Sequence, residues 1–271
     1  MNSLLLAAIT LLPLVGPFDD QASEMEFPLQ GEITVTIIFD NTAVDDRLAT
    51  GWGFAALLET PEHTILFDTG ANGEALLENL RLLGKDPMAV ESVIISHAHG
   101  DHTGGLQALL DLGLRPKLYL LSGFPAEMRG GFAEALEIVE AVPGQEIVPG
   151  IRTTGQVGTD IPEQALILDT QQGTVVLTGC AHPGVIQMLE RAQKLNSSPL
   201  HLVMGGFHMM EASAEEIQWV LSEFQRLGVQ RVGATHCSGD LTIATMKNAY
   251  SDNFQPLGAG RVIRFALPSF P

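Results

Sequence analysis

The sequence predicts an α/β fold in which two sheets pack face to face with helices on the outside. Two observations predict it. The order strands, helix, strand, helix recurs about twice along the chain, and 45% of the 271 residues are hydrophobic against 17% charged, which is globular composition rather than disorder. That length suffices for a full core.

The first element is Ile33 to Phe39, a β-branched run that reads as a strand. Phe54 to Glu59 and Thr64 to Phe67 read as two strands joined by a turn at Pro61-Glu62. Residues 74–83 place Ala75, Leu76, Leu80 and Leu83 on one helical face. Val93-Ile94-Ile95 is a short apolar run of the kind a buried strand needs. Later strands are expected at 117–121, 165–168, 174–178, 200–204, 231–235 and 261–265, and later helices at 103–112, 131–141, 183–195, 213–227 and 240–250. Ser213 and Glu216 have capping-box spacing at the start of the fourth of these helices. The Gly- and Pro-rich stretch 122–164 reads as the least regular part. No internal repeat and no low-complexity tract is present.

The division expected is an N-terminal segment, 1–31, and a domain, 32–271. Leu4 to Val15 is nearly all apolar but too short to span a bilayer. It resembles the core of a signal peptide, yet Met1-Asn2-Ser3 supplies no Lys or Arg, and no clean small-residue cleavage site follows. The expectation leans to the cytoplasm, with export through this segment as the alternative. Residues 16–31 read as a linker.

Charge limits the partners. Fourteen Lys and Arg face 32 Asp and Glu, a formal net charge of −18, and no basic run exists. Nucleic acid and anionic membrane are therefore poor partners, and a small molecule is the expected one. Oligomeric state is not readable. Two cysteines are too few for a disulfide framework. Each stands beside a His, in Cys180-Ala181-His182 and His236-Cys237, so metal binding competes with disulfide pairing.

The chemistry concentrates at Ser96-His97-Ala98-His99-Gly100-Asp101-His102. His97 and His99, two apart at a strand end, leave on one side. Gly100 permits a sharp bend, after which Asp101 and His102 point elsewhere and Asp101 or Thr103 can cap the next helix. One loop thus offers two pairs of ligands, where one metal needs three or four donors and two metals about six. Further donors stand at other strand ends: Cys180 and His182 after 174–178, His208 after 200–204, and His236 after 231–235.

These residues resemble the metallo-β-lactamase superfamily, whose signature is H-x-H-x-D-H after a short buried strand. The runs Ile65-Leu66-Phe67-Asp68-Thr69-Gly70, 178–184, 205–208 and 235–239 are similar to one branch, related to 7,8-dihydropterin-6-methyl-4-(β-D-ribofuranosyl)aminobenzene-5′-phosphate synthase. The resemblance covers about residues 33–265. It implies a four-layer αβ/βα sandwich of two mixed sheets with outer helices. It implies one metal held by His97, His99 and His182, and a second held by Asp101, His102 and His236. The metals implied are two divalent ions, zinc first, with iron or manganese as alternatives. Cys180 stands where many members place a bridging Asp; its thiolate either bridges or lines the site, and favours softer metals. Asp68 would accept a ligand imidazole N–H, against the plainer reading of an Asp-Thr-Gly turn. His208 is a late ligand, a donor to a developing oxyanion, or a plain loop His.

The remaining candidates read as structural. His63 is expected exposed and His201 structural. Phe207 with Met209-Met210 is expected to pack around the pocket. Cys237 is expected to be a buried thiol on the face opposite His236, and Asp240 an N-cap.

The function implied is a metal-dependent hydrolase. A metal-bridging hydroxide, oriented by Asp101, attacks a small anionic ester, lactone, thioester or phosphoester, and His208 assists. Alternatives are a non-hydrolytic synthase, a mononuclear-iron oxygenase, or a metal-binding sensor without catalysis. A flavodiiron oxidoreductase is disfavoured because such members carry Glu at the position of His99. A nuclease is disfavoured by the charge, and a true β-lactamase by the runs at 178–184 and 205–208.

Overall fold

Two mixed sheets face each other across an apolar seam, and helices cover the outer face of each. The computed structural model describes residues 31–268. The apolar run Leu4 to Val15, nearly all of the expected linker and any cleavage site lie outside the described residues. Along the chain come β1 (Glu32–Phe39), β2 (Ala55–Glu59), β3 (Thr64–Phe67), α1 (Gly73–Leu82), β4 (Ser92–Ile94), α2 (Gly100–Thr103), α3 (Leu106–Asp111) and β5 (Lys117–Leu120). There follow α4 (Ala126–Ala133), β6 (Ile138–Glu140), β7 (Glu146–Val148), β8 (Ile151–Thr153), β9 (Leu166–Thr170) and β10 (Gly173–Thr178). The last elements are α5 (Val185–Leu195), β11 (Leu200–Gly206), α6 (Ala214–Leu227), β12 (Arg231–Thr235), α7 (Asp240–Tyr250) and β13 (Val262–Ala266). None of the described helices is long and apolar enough to cross a membrane.

The first sheet runs in the order β13-β1-β2-β3-β4-β5-β6 and the second β12-β11-β10-β9-β8-β7. Strands β3 to β6 are parallel, as are β10 to β12, and the remaining pairings are antiparallel. Alternation decides which side chains meet. Val175 and Leu177 of β10, with Leu202 and Met204 of β11, face Ile65, Phe67 and Ile94 of the first sheet. Their neighbours Val176 and Val203 turn outward onto α5 and α6, through Met188, Leu189, Val220 and Phe224. On the other outer face Leu66 and Val93 receive Leu76 and Leu80 of α1 and Leu106 and Leu109 of α3. The result is the αβ/βα sandwich.

Four local expectations are corrected. The helix expected at 103–112 is two helices, α2 and α3, broken at Gly104-Gly105. A Cβ on Gly105 would lie 2.1 Å from the Thr69 carbonyl oxygen, so the chain can turn against β3's exit only without one. The helix expected at 131–141 lies earlier, as α4, and Ile138–Glu140 instead pairs parallel with β5. Neither Asp101 nor Thr103 caps α2: His99 holds that position, with no side-chain cap, and Thr103 Oγ1 donates to the His99 carbonyl. Asp240 is the first residue of α7, and Gly239 takes the cap. The capping box of Ser213 and Glu216 is present.

Candidate metal centre

The strands that carry candidate ligands end on one rim. β1, β3 and β4 of the first sheet, and β10, β11 and β12 of the second, all point their C-terminal ends there, so loops from both sheets converge. The convergence is close. A Cβ on Gly179, which follows β10, would sit 2.2 Å from Ser96 Oγ and 2.9 Å from Asp68 Oδ2.

Two donor groups gather around the clustered histidines, and a third set, Cys180, His208 and Cys237, adjoins them. In the first, His97 Nε2 lies 3.1 Å from His99 Nδ1 and 3.2 Å from His182 Nε2. In the second, Asp101 Oδ2 is 3.5 Å from His102 Nε2 and 3.4 Å from His236 Nε2. Cys180 Sγ is 3.2 Å from His102 Nε2 and belongs to both groups. Ligands about 2.0–2.1 Å from one tetrahedral zinc would stand about 3.3 Å apart, so the observed spacings suit a metal.

The hydrogen bonds behind the imidazoles fix where their lone pairs point. Ser96 Oγ donates to Asp68 Oδ2 (2.7 Å) and so accepts from His97 Nδ1 (2.9 Å), which leaves His97 Nε2 bare. His102 Nδ1 donates to Asp68 Oδ2 at 2.6 Å, which turns its Nε2 toward Asp101 and Cys180. Asn41 Oδ1 accepts from Gly53 N–H (3.3 Å) and from His236 Nδ1 (3.0 Å). His236 Nε2 is then a buried nitrogen with no hydrogen-bond partner. An orphaned buried nitrogen costs ~1–3 kcal/mol, and a divalent metal beside Asp101 would remove that cost. The donor set therefore fits a metal.

Electrostatics divide the two groups. Burial, with three imidazoles around it, holds His97 far below the usual histidine range. Burial and the neighbouring His208 and His99 lower His182 to about 4. Burial opposes charge on His102 too, but the Asp68 and Asp101 carboxylates outweigh it and hold that imidazole up to about 10. Burial also opposes charge on Asp101, yet contacts from His102 and His236 keep it well below the usual carboxylate range.

His208 is exposed, with its ring centroid 4.1 Å from that of His182. Its φ is +52°, a left-handed conformation that costs a non-glycine residue on the order of 1 kcal/mol or more. A donor atom of His208 lies within 4.8 Å of both cysteine sulfurs. Cys237 is buried, as expected, but it does not face away. A φ of +52° at His236 turns the chain after β12, and Cys237 Sγ accepts the His208 backbone N–H (3.3 Å). Both cysteines are free thiols. His63 is half-buried rather than exposed, and lies 2.6 Å from Glu91 Oε1. His201 lies 3.0 Å from Gln230 Oε1, away from the centre. Phe207 and Met209 line a cavity beside His182, whereas Met210 is exposed.

Sequence reading missed four supporting residues. Fully buried Glu163 accepts the backbone N–H groups of Cys180 (2.8 Å), Ala181 (2.7 Å) and His182 (2.8 Å). Burial pushes its carboxyl up to about 7 against those donors. It lies in the stretch read as least regular, so no local pattern marks it. Ser96 and Asn41, described above, hold His97 and His236. Asp40 Oδ2 accepts from Thr235 Oγ1 (2.5 Å), which ties the end of β1 to the end of β12. Asp40 and Asn41 lie just past the end of a strand, the kind of position that marked His97, Cys180 and His236 as well.

A model of the metallo-beta-lactamase superfamily matches residues 53–220. The 7,8-dihydropterin-6-methyl-4-(beta-D-ribofuranosyl)-aminobenzene-5′-phosphate synthase of Methanocaldococcus jannaschii is 27% identical over 248 residues, covering 74% of this chain and 84% of that protein. The crystal structure of Tm1679, described as a metal-dependent hydrolase of the beta-lactamase superfamily, superposes with a TM-score of 0.71 at 25% identity, covering 85% of this chain and 98% of that one. The metallo-beta-lactamase fold protein YhfI from Bacillus subtilis shares the fold, with a TM-score of 0.59 at 18% identity over 87% of this chain and 100% of that one.

Proposed function

The chain belongs to the metallo-beta-lactamase superfamily, and from that premise we propose that it is a dinuclear, zinc-dependent hydrolase of a small ester, lactone, thioester or phosphoester. One observation carries the reading: two groups of buried and half-buried donors share Cys180, and the second contains an otherwise unpartnered His236 Nε2.

In this reading His97, His99 and His182 hold one metal, while Asp101, His102 and His236 hold the other. Cys180, which belongs to both groups, would be a donor available to either metal. Such metals supply Lewis acidity and a water activated near neutral pH. The chain's own residues do the rest. Asp68 and Ser96 lock the tautomers of His102 and His97. Asp101 keeps one carboxylate oxygen beside both His102 and His236, and orients the attacking water by accepting its hydrogen bond. His208, whose contact with Cys237 raises its pKa, donates a proton or hydrogen bond to the substrate oxygen that becomes negative.

Elemental analysis of protein purified without added metal, followed by turnover of chromogenic esters, lactones, thioesters and phosphoesters, tests this. The expected result is two zinc ions per chain and hydrolysis that His97→Ala or His236→Ala abolishes with the fold intact. One metal per chain overturns the dinuclear reading, and full activity of either variant overturns the metallohydrolase.

Similarity to the archaeal synthase favours a second reading, a non-hydrolytic bond-forming reaction at the same centre. Turnover in ¹⁸O-water separates the two: hydrolysis places the label in product, whereas a synthase that uses no water as nucleophile does not.

A further inference from the structure

A cavity of about 360 Å³ opens beside His182 and His208 and runs between the first turn of α5 and the outer helix α6. Its walls are Val185, Phe207, Met209, Ala212, Trp219 and Val220. Phe207 and Met209 are buried, and Phe207 meets Phe224 edge to face with ring centroids 5.9 Å apart. That wall is fixed before any ligand arrives. Trp219 borders the cavity yet is 56% exposed, and Met210 nearby is 51% exposed. A bound flat group would cover the indole and remove apolar surface from water.

Charge points the same way. Among the described residues lining the cavity there is no Lys or Arg, and the one carboxylate, Glu216, accepts the Ser213 N–H at 2.7 Å. A second cleft, on the far side of His182 at Gly158 to Ile161, also has no Lys or Arg and carries Asp160. With −18 on the whole chain, an anionic group held away from the metals would find no counter-charge at either cleft. A negative charge on the substrate could be met only at the metal end.

We propose that the substrate carries a flat, uncharged aryl group of one or two rings, seated in this cavity with the reacting centre at the donor cluster. The inference rests on the metallohydrolase reading and narrows its substrate class. The volume is at the small end of ligand pockets, ~300–1,000 Å³. An aryl group is favoured over an alkyl chain because Phe207, Trp219 and His208 present rings and Met209 a thioether, contacts from which an aromatic gains beyond its area.

Calorimetric titration of the metal-loaded protein with four hydroxamic acids tests the inference without turnover, because all four carry the same metal-binding head. The probes are acetohydroxamic, hexanohydroxamic, 2-naphthohydroxamic and succinic monohydroxamic acid. The naphthyl compound is expected to bind at least tenfold more tightly than the acetyl and the hexanoyl compounds. The succinic compound is expected to bind no more tightly than the acetyl one. Trp219→Ala, at an exposed position, and Ala212→Phe, which fills the cavity, should each reduce the naphthyl preference at least threefold while acetyl binding stays unchanged. Equal affinity for naphthyl and acetyl, hexanoyl binding as tight as naphthyl, tighter succinic binding, or a naphthyl preference unmoved by both variants overturns the proposal. If the preference holds but no ester, lactone, thioester or phosphoester is hydrolysed, the hydrolase reading fails and the aryl site stands. If hydrolysis occurs without the preference, the aryl site alone fails.

Discussion

Cys180 Sγ lies 3.2 Å from His102 Nε2, and the same sulfur belongs to the donor group of His97 and His182. A sulfur so placed can contact metals on both sides. Cys180→Ala should therefore weaken both sites rather than one. The cobalt-substituted protein should show a sulfur-to-metal charge-transfer band in the near ultraviolet that Cys180→Ala lacks. Metal content after dialysis should fall well below that of the parent. A band retained in the variant would place the sulfur–metal contact elsewhere, at Cys237.

Asp68 acts through others. It accepts the Ser96 backbone N–H at 2.6 Å, the Ser96 hydroxyl and His102 Nδ1, so it orients candidate donors of both groups and is not one of them. Asp68→Asn keeps the shape and offers an N–H in place of one oxygen. Metal affinity should drop ~10–100-fold, as it does when partners behind metal-bound imidazoles are removed. Chemical denaturation of the metal-free variant should show a smaller effect than the metal titration does.

The two donor groups should differ in their proton balance. His102 is held up to about 10, so at pH 7 it carries a proton that a metal must displace. His182 is lowered to about 4 and His97 lies lower still, so both are neutral at that pH and release none. The His102 ring should therefore make affinity at its group rise with pH below its pKa, whereas the His97 and His182 rings add no such dependence near neutrality. The Cys180 thiol, whose pKa the Cys237 contact and burial raise, adds its own proton to the balance of whichever group it serves. Metal titrations in buffers of different ionisation enthalpy measure this directly. In Cys180→Ala, where the shared thiol contributes no proton, the His102 group is expected to release about one more proton than the His97 group.

Much of the candidate centre was legible because its potential donors are local and patterned. His97, His99, Asp101 and His102 fall within six residues, and Cys180, His182 and His236 lie within four residues of the end of an apolar strand. The supporting groups were not legible, for a physical reason. Glu163 is made useful by three amides 17–19 residues away, and Asn41 by a ring 195 residues away. Such pairings depend on how the sheets meet. The helix expected at 131–141 failed for a related reason: Ile138 and Val139 find an open strand edge at β5, and pairing there overrides local preference. Cys237 was placed on the wrong face because a strand's alternation stops at His236, whose left-handed backbone begins a turn.

Gly179 is where the two sheets' loops touch. Gly179→Ala would press a methyl against Ser96 Oγ and Asp68 Oδ2. Overpacking of this kind costs ~1–3 kcal/mol, and denaturant unfolding of the metal-free protein measures it. The same variant should loosen metal binding, because the displaced groups are those that orient His97 and His102.

Glu163 makes a prediction whose sign depends on its burial. Its folded-state pKa, about 7, lies above the ordinary carboxyl value of 4.5. The native state therefore holds a proton that the unfolded chain has released between those pH values. Its contribution to stability is fully present below the unfolded value and is lost as pH rises through about 7. The metal-free protein should lose on the order of 2 kcal/mol between pH 5 and 8 relative to Glu163→Gln, whose amide does not titrate. Glu163→Gln also retains one carbonyl oxygen for three amides, so at pH 5 it should be less stable than the parent by ~1–3 kcal/mol. The two stability curves should converge as pH rises, as read from urea denaturation at each pH. Parallel curves would mean that the carboxyl keeps its charge throughout, with the three backbone donors outweighing burial.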